Sequence, residues 1–175
     1  MTLLPWLFSA AIAATPPAVS VGQPAYVFTL PALNEDAAMD AVNKPQVALA
    51  DFAGVSPGHS ARAVVLYFFL KDEGGDELAV LHRLQRRYSG KGVQVVAISA
   101  DVGDLGALST WVEGQKLSFP VLRDNHRVVT SRYGVVSLPM TILVDHDGYV
   151  FSIGQPDPAH FESELESELA PLIAR

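Results

Sequence analysis

The sequence predicts an α/β sandwich built on a mixed sheet, and three observations carry that expectation. Residues 63–70 (Ala-Val-Val-Leu-Tyr-Phe-Phe-Leu) and 93–99 (Val-Gln-Val-Val-Ala-Ile-Ser) are nearly unbroken apolar runs, the character of strands buried on both faces. Each is followed by a stretch whose apolar residues recur every three or four positions, as in a helix covering one face of a sheet. Residues 140–145 and 149–153 flank Asp145-His146-Asp147-Gly148, a hairpin turn signal, and an amphipathic helix closes the chain. Strand–helix alternation followed by a hairpin and a helix places parallel and antiparallel pairs in one layered sheet.

The elements follow in order. Residues 25–30 (Ala-Tyr-Val-Phe-Thr-Leu) read as a short strand pairing with 47–50. Between them, Glu35-Asp36 and Asn43-Lys44-Pro45 are turn signals, and Ala37-Ala38-Met39 is expected to make one helical turn. Residues 55–60 read as a surface loop. After the first buried strand, a helix starting near Glu77 carries Leu78, Leu81, Leu84 and Tyr88 as one stripe, and Gly90 and Gly92 stop it. After the second, Asp104 is a cap for a helix with Leu105, Leu108, Trp111 and Val112 on one face. Residues 118–122 form a short strand, and 127–133 a short helix ended by Gly134. The last helix is expected to open with Asp157 as cap and Pro158 at its first position, with Phe161, Leu165, Leu169 and Leu172 inward and its glutamates largely outward.

The totals fit one domain. A chain of 175 residues buries about 70% of its unfolded surface, enough for a layered core without disulfides. With 49% hydrophobic and 18% charged residues the chain is not a disordered one. A net charge of −7 argues against a nucleic-acid partner, which needs clustered cations. The one tight basic group, Arg83, Arg86 and Arg87, reads as a solvated helix face, with an anionic-partner site as the alternative.

The first residues bear on compartment. Leu3 to Ala14 is uncharged and apolar, shorter than the about 20 residues a span requires. Ala11-Ile12-Ala13 fits a small-residue cleavage pattern, and Thr15-Pro16-Pro17 breaks the run. The expected organisation is a signal peptide over 1–14, a linker over 15–24 and one domain over 25–175. The product is then exported to the periplasm or the extracellular space, with no membrane span after cleavage. No Lys or Arg precedes the run, which leaves an uncleaved anchor and a mis-assigned start codon as alternatives. No cysteine follows it, so lipidation at a lipobox is excluded.

Several stretches together resemble the redoxin (AhpC/TSA-type) family. Gly22-Gln-Pro-Ala-Tyr-Val-Phe-Thr-Leu30 resembles its opening. Val64-Val-Leu-Tyr-Phe-Phe69 and Gly92-Val-Gln-Val-Val-Ala-Ile-Ser-Ala-Asp101 are similar to its two core strands. Leu117-Ser-Phe-Pro-Val-Leu-Arg-Asp124, Tyr133-Gly-Val135, Leu138-Pro-Met-Thr-Ile-Leu-Val-Asp145 and Asp147-Gly148 follow in the family's order, so the resemblance runs from about residue 21 to 154. It implies a thioredoxin-like three-layer α/β/α sandwich with a central mixed sheet and an N-terminal hairpin extension. Pro139 makes the chain most similar to secreted or tethered thiol–disulfide oxidoreductases of the TlpA and ResA type. Residues 66–72 also resemble the bacterioferritin-comigratory peroxiredoxins, although Met140 stands where peroxiredoxins tend to carry an arginine. Both parent branches stay open, and both need a cysteine.

This chain has none. The loop that carries Cys-x-x-Cys in such proteins holds Asp72, Glu73, Gly74, Gly75 and Asp76 here and is about two residues shorter. Thiol chemistry requires a thiolate, so fold and chemistry part company. The loop's carboxylates allow a hard-cation site or acid–base chemistry, against a solvated turn in which Asp76 and Glu77 favour a helix N-terminus. The resemblance implies that Pro139 is cis and that the backbone before it, Ser137 and Leu138, pairs with an extended protein or peptide partner. The alternative for Pro139 is a purely structural turn. Related copper-delivery proteins use two cysteines and a histidine, and here the cysteines are missing. His59, His82, His126, His146 and His160 are scattered with no His-x-x-x-His spacing, so no metal or other cofactor is expected. Neither a Walker loop nor a nucleophile elbow nor a dinucleotide fingerprint occurs. The expectation is a redox-inactive binding module, with an enzyme using non-thiol chemistry at the acidic loop as the alternative.

Overall fold

The computed structural model describes residues 18–54 and 61–174. The leader-like run, its Thr15-Pro16-Pro17 breaker and the loop at 55–60 lie outside them.

The core is a five-stranded sheet in the order β5-β4-β3-β6-β7. Its centre is β3 (Ala63–Phe69), whose seven residues are all buried. β3 pairs in parallel with β4 (Val93–Ser99), Phe69 opposite Ser99, and antiparallel with β6 (Met140–Asp145), Phe68 opposite Met140. β5 (Val121–Arg123) extends the parallel side, and β7 (Val150–Gly154) closes the hairpin side. Alternation sends Ala63, Val65, Tyr67 and Phe69 to one face and Val64, Leu66 and Phe68 to the other. Each Val, Leu or Phe side chain buried this way contributes roughly 1.5–3 kcal/mol, which is why the unbroken run sits centrally.

The first face is covered by α2 (Leu78–Tyr88), α3 (Leu105–Gly114) and α5 (Phe161–Ile173), through Leu81, Val112, Leu165 and Leu169 among others. Two ion pairs join α2 to α5, Arg83 to Glu162 at 2.8 Å and Arg87 to Glu166. The second face is covered by the N-terminal segment, α1 (Glu35–Val42) and α4 (Val128–Arg132), where Phe28, Val47 and Tyr133 pack. β1 (Thr29–Pro31) and β2 (Gln46–Ala48) form the separate antiparallel extension, Leu30 opposite Val47. This is a thioredoxin-like sandwich with a central mixed sheet.

Several boundaries move. The first strand covers only Thr29–Pro31, because its expected start is drawn to the β6–β7 hairpin: Ala25 N–H donates to Gly148 O and Pro24 bridges Tyr149, while Tyr26 O accepts from Tyr133 Oη. The single helical turn expected at 37–39 is an eight-residue helix, anchored by buried Ala37 and Ala38. The short strand expected at 118–122 is at Val121–Arg123, where its residues stand opposite Ala97, Ile98 and Ser99 of β4. The closing helix starts at Phe161. Asp157 caps a preceding turn, accepting from Ala159 N–H at 3.0 Å, and Pro158 lies in that turn. Leu105 is 46% exposed, whereas Leu108 and Val112 on the same helix are buried. Within the expected linker, residues 18–24 lie on the body: Val19 is buried and Gly22 N–H donates to Val150 O.

Candidate functional site

Topology brings the loops after β3, β4 and β5, and the turn before β6, to one end of the sheet. The loop after β3 is a tight turn. Leu70 and Glu73 exchange backbone hydrogen bonds at 3.0 and 2.9 Å, and Lys71 N–H donates to the Asp101 carboxylate at 2.9 Å. That carboxylate also accepts from Ser99 Oγ, which ties the turn to the end of β4. Lys71 Nζ lies 5.7 Å from the Trp111 ring centre.

Gly74 is where this loop meets the proline. Its φ is +93°, and a Cβ there would stand 2.6 Å from Tyr67 Oη and 2.7 Å from Pro139 Cβ. Only glycine fits this close approach. Tyr67 Oη donates to Gly74 O at 2.9 Å and lies 3.5 Å from Glu77 Oε2. Burial, then the Glu77 charge and hydrogen bond, push the Tyr67 phenol far above its ordinary value, so it stays protonated. The Leu138–Pro139 bond is cis. The backbone of Ser137 and Leu138 makes no hydrogen bond with any described residue.

An open groove of about 430 Å³ runs beside this loop, lined by Leu70, Glu73, Arg127, Ser131, Val136 and Leu138 among others. Arg127 is placed by donating Nε–H to Ala100 O at 3.0 Å. Val136 is 95% exposed, and Val102, Leu105 and Val128, also exposed, follow β4 and β5 at the same end. Asp72, Glu73 and Asp76 are exposed. Among the described residues they do not gather into a group of three ligands; Asp157, His160 and Glu164 do.

The match to a family model for the AhpC/TSA family covers residues 21–153. The chain belongs to the AhpC/TSA family. Within this family the chain is 36% identical over 74 residues to the thiol-disulfide oxidoreductase ResA of Bacillus thuringiensis, a match covering 42% of each chain. It thus spans less than half the length of that relative. A ResA of Oceanobacillus iheyensis is 28% identical over 77% of this chain and 65% of its own length. Among solved structures, a secreted Mycobacterium tuberculosis disulfide oxidoreductase homologous to DsbE superposes with a TM-score of 0.61 at 22% identity, covering 82% of this chain and 95% of that one. The AhpC/TSA member described here shares their fold and carries no cysteine.

The site brings together Gly74 and Pro139, with Glu73 and Leu138 lining one groove. Asp72 and Asp76 line neither that groove nor the proline contact. Sequence reading missed Tyr67, Asp101 and Arg127. Tyr67 was counted as core, and its role shows only because its hydroxyl reaches the loop seven residues on. Ser99 and Asp101 at the end of the second strand were a readable polar signal, but their partner in another loop was not.

Proposed function

We propose that this chain is a redox-inactive, exported binding module that takes an extended protein segment at the cis-proline end of its sheet. The single observation that carries the reading is the Ser137–Leu138 backbone, unpaired among the described residues, beside an open groove. An extended segment laid there would add as a strand, with main-chain bonds supplying affinity and side chains entering the groove. Exposed Val136 offers an apolar anchor, and Glu73 and Arg127 set charge requirements on either side. Asp72 and Asp76 add negative charge around that end, favouring a segment with net positive charge and faster association at low salt. Export rests on the apolar run that ends at Ala13 or Ala14 before a proline pair.

The test is capture from the exported fraction with three folded baits: the native chain, Pro139→Ala, and Glu73→Lys/Asp76→Lys. Selective loss of the same proteins from both variants supports the reading. Equal recovery by all three baits places binding elsewhere.

A further inference from the structure

We propose that Asp157, His160 and Glu164 form a solvent-exposed site for a divalent first-row transition cation such as zinc. One ligand atom from each residue lies within 4.8 Å of the other two. Donors around a tetrahedral zinc stand roughly 3.3 Å apart, so rotation of exposed side chains closes the site without moving the backbone. One imidazole and two carboxylates suit borderline cations better than calcium or magnesium, which prefer all-oxygen shells.

Local structure holds the three together. The Asp157 carboxylate accepts from Ala159 N–H at 3.0 Å and contacts His160 Nδ1 at 2.8 Å. Glu164 N–H donates to His160 O at 2.9 Å, so the two residues stack one turn apart at the start of α5. Glu164 further lines a small cavity of about 50 Å³ together with Thr141. The Thr141 hydroxyl is buried and has no partner among the described residues. That cavity has room for a water able to serve both the hydroxyl and the carboxylate. The positive end of the α5 dipole opposes a cation here, and the two carboxylates offset it. The competing account is a capped turn in which Asp157 and His160 form an exposed ion pair ahead of a helix with acidic residues in its first turn.

Zinc titrated into the full chain, purified without a histidine tag and followed by calorimetry, tests the site. One zinc per chain is expected, with His160→Ala and Glu164→Gln each weakening it about tenfold or more. Asp157→Asn keeps an acceptor for Ala159 and removes the charge, so affinity should fall while the helix content is unchanged. His82→Ala, away from the cluster, should bind zinc as the native chain does. Absence of zinc binding, or affinity unchanged in any of the three cluster variants, overturns the proposal.

Discussion

Gly74 is the residue on which the end of the sheet depends, because the Tyr67 phenol and the Pro139 ring meet where its side chain would be. Gly74→Ala should cost about 1–3 kcal/mol, by overpacking against Tyr67 and Pro139. Gly90→Ala, where a Cβ meets nothing within 4 Å, should be neutral or slightly stabilising. Urea melts of the two variants beside the native chain measure the contrast, and equal midpoints would refute the packing account. Tyr67 and Tyr133 give a pH prediction. Burial raises both phenols above the ordinary value near 10, so the native state holds protons that the unfolded chain releases. Their contribution to stability is therefore complete below about pH 10 and declines as pH rises above it. Tyr67→Phe should make that alkaline decline shallower by about one proton, read as the slope of unfolding free energy against pH.

At the scale of elements, the short helix α4 is held from outside itself. Asp124 is buried, and its carboxylate accepts from Val128 N–H at 2.9 Å, Thr130 N–H at 2.7 Å and Thr130 Oγ at 2.8 Å. A helix of five residues has little stability of its own, so these charge-assisted bonds set its start. Asp124→Ala should cost about 1.5–3 kcal/mol in a urea melt. Because α4 leads directly into the turn at 135–139, the same variant should speed amide exchange at Val136 and Leu138. Unchanged exchange there would show that the turn is held independently of the helix. The spacing Asp-x-x-x-x-x-Thr is not a familiar cap pattern, so this anchor was not legible. The cap at Asp104 was legible because the donors it accepts from, Gly106 and Ala107 N–H, lie in the first turn of its own helix.

At the scale of the molecule, a fold shared with thiol-disulfide oxidoreductases is present without a thiol. The purified chain should neither reduce insulin disulfides nor turn over hydrogen peroxide by a thiol route, since no side chain can form a mixed disulfide or a sulfenic acid. Thiol-dependent turnover above background, in material free of contaminants and beside a cysteine-containing relative, is the contrary result. Met39 and Met140 can be oxidised but cannot exchange disulfides. N-terminal sequencing of the native protein should find it beginning after Ala13 or Ala14; an intact Met1 in the cytoplasmic fraction is the contrary result.

Hydrophobic periodicity by itself determined the architecture. Seven consecutive apolar residues rich in β-branched and aromatic side chains, bounded by turn signals, fit a strand covered on both sides, and stripes at three- and four-residue spacing fit a helix lying on it. The absence of cysteine likewise determined which chemistry is closed, because that depends on composition and not on placement. What only the tertiary structure decided is which polar groups meet. Arg127 joins Glu73 in one groove, Asp101 reaches Lys71, and Tyr67 reaches Gly74. The boundaries at Ala25 and at Asp157 moved for the same reason, since partners in the β6–β7 hairpin and in a local turn outweighed strand and helix propensity. Burial is written in the period of a sequence, whereas a hydrogen bond between distant loops depends on a distance that no local pattern encodes.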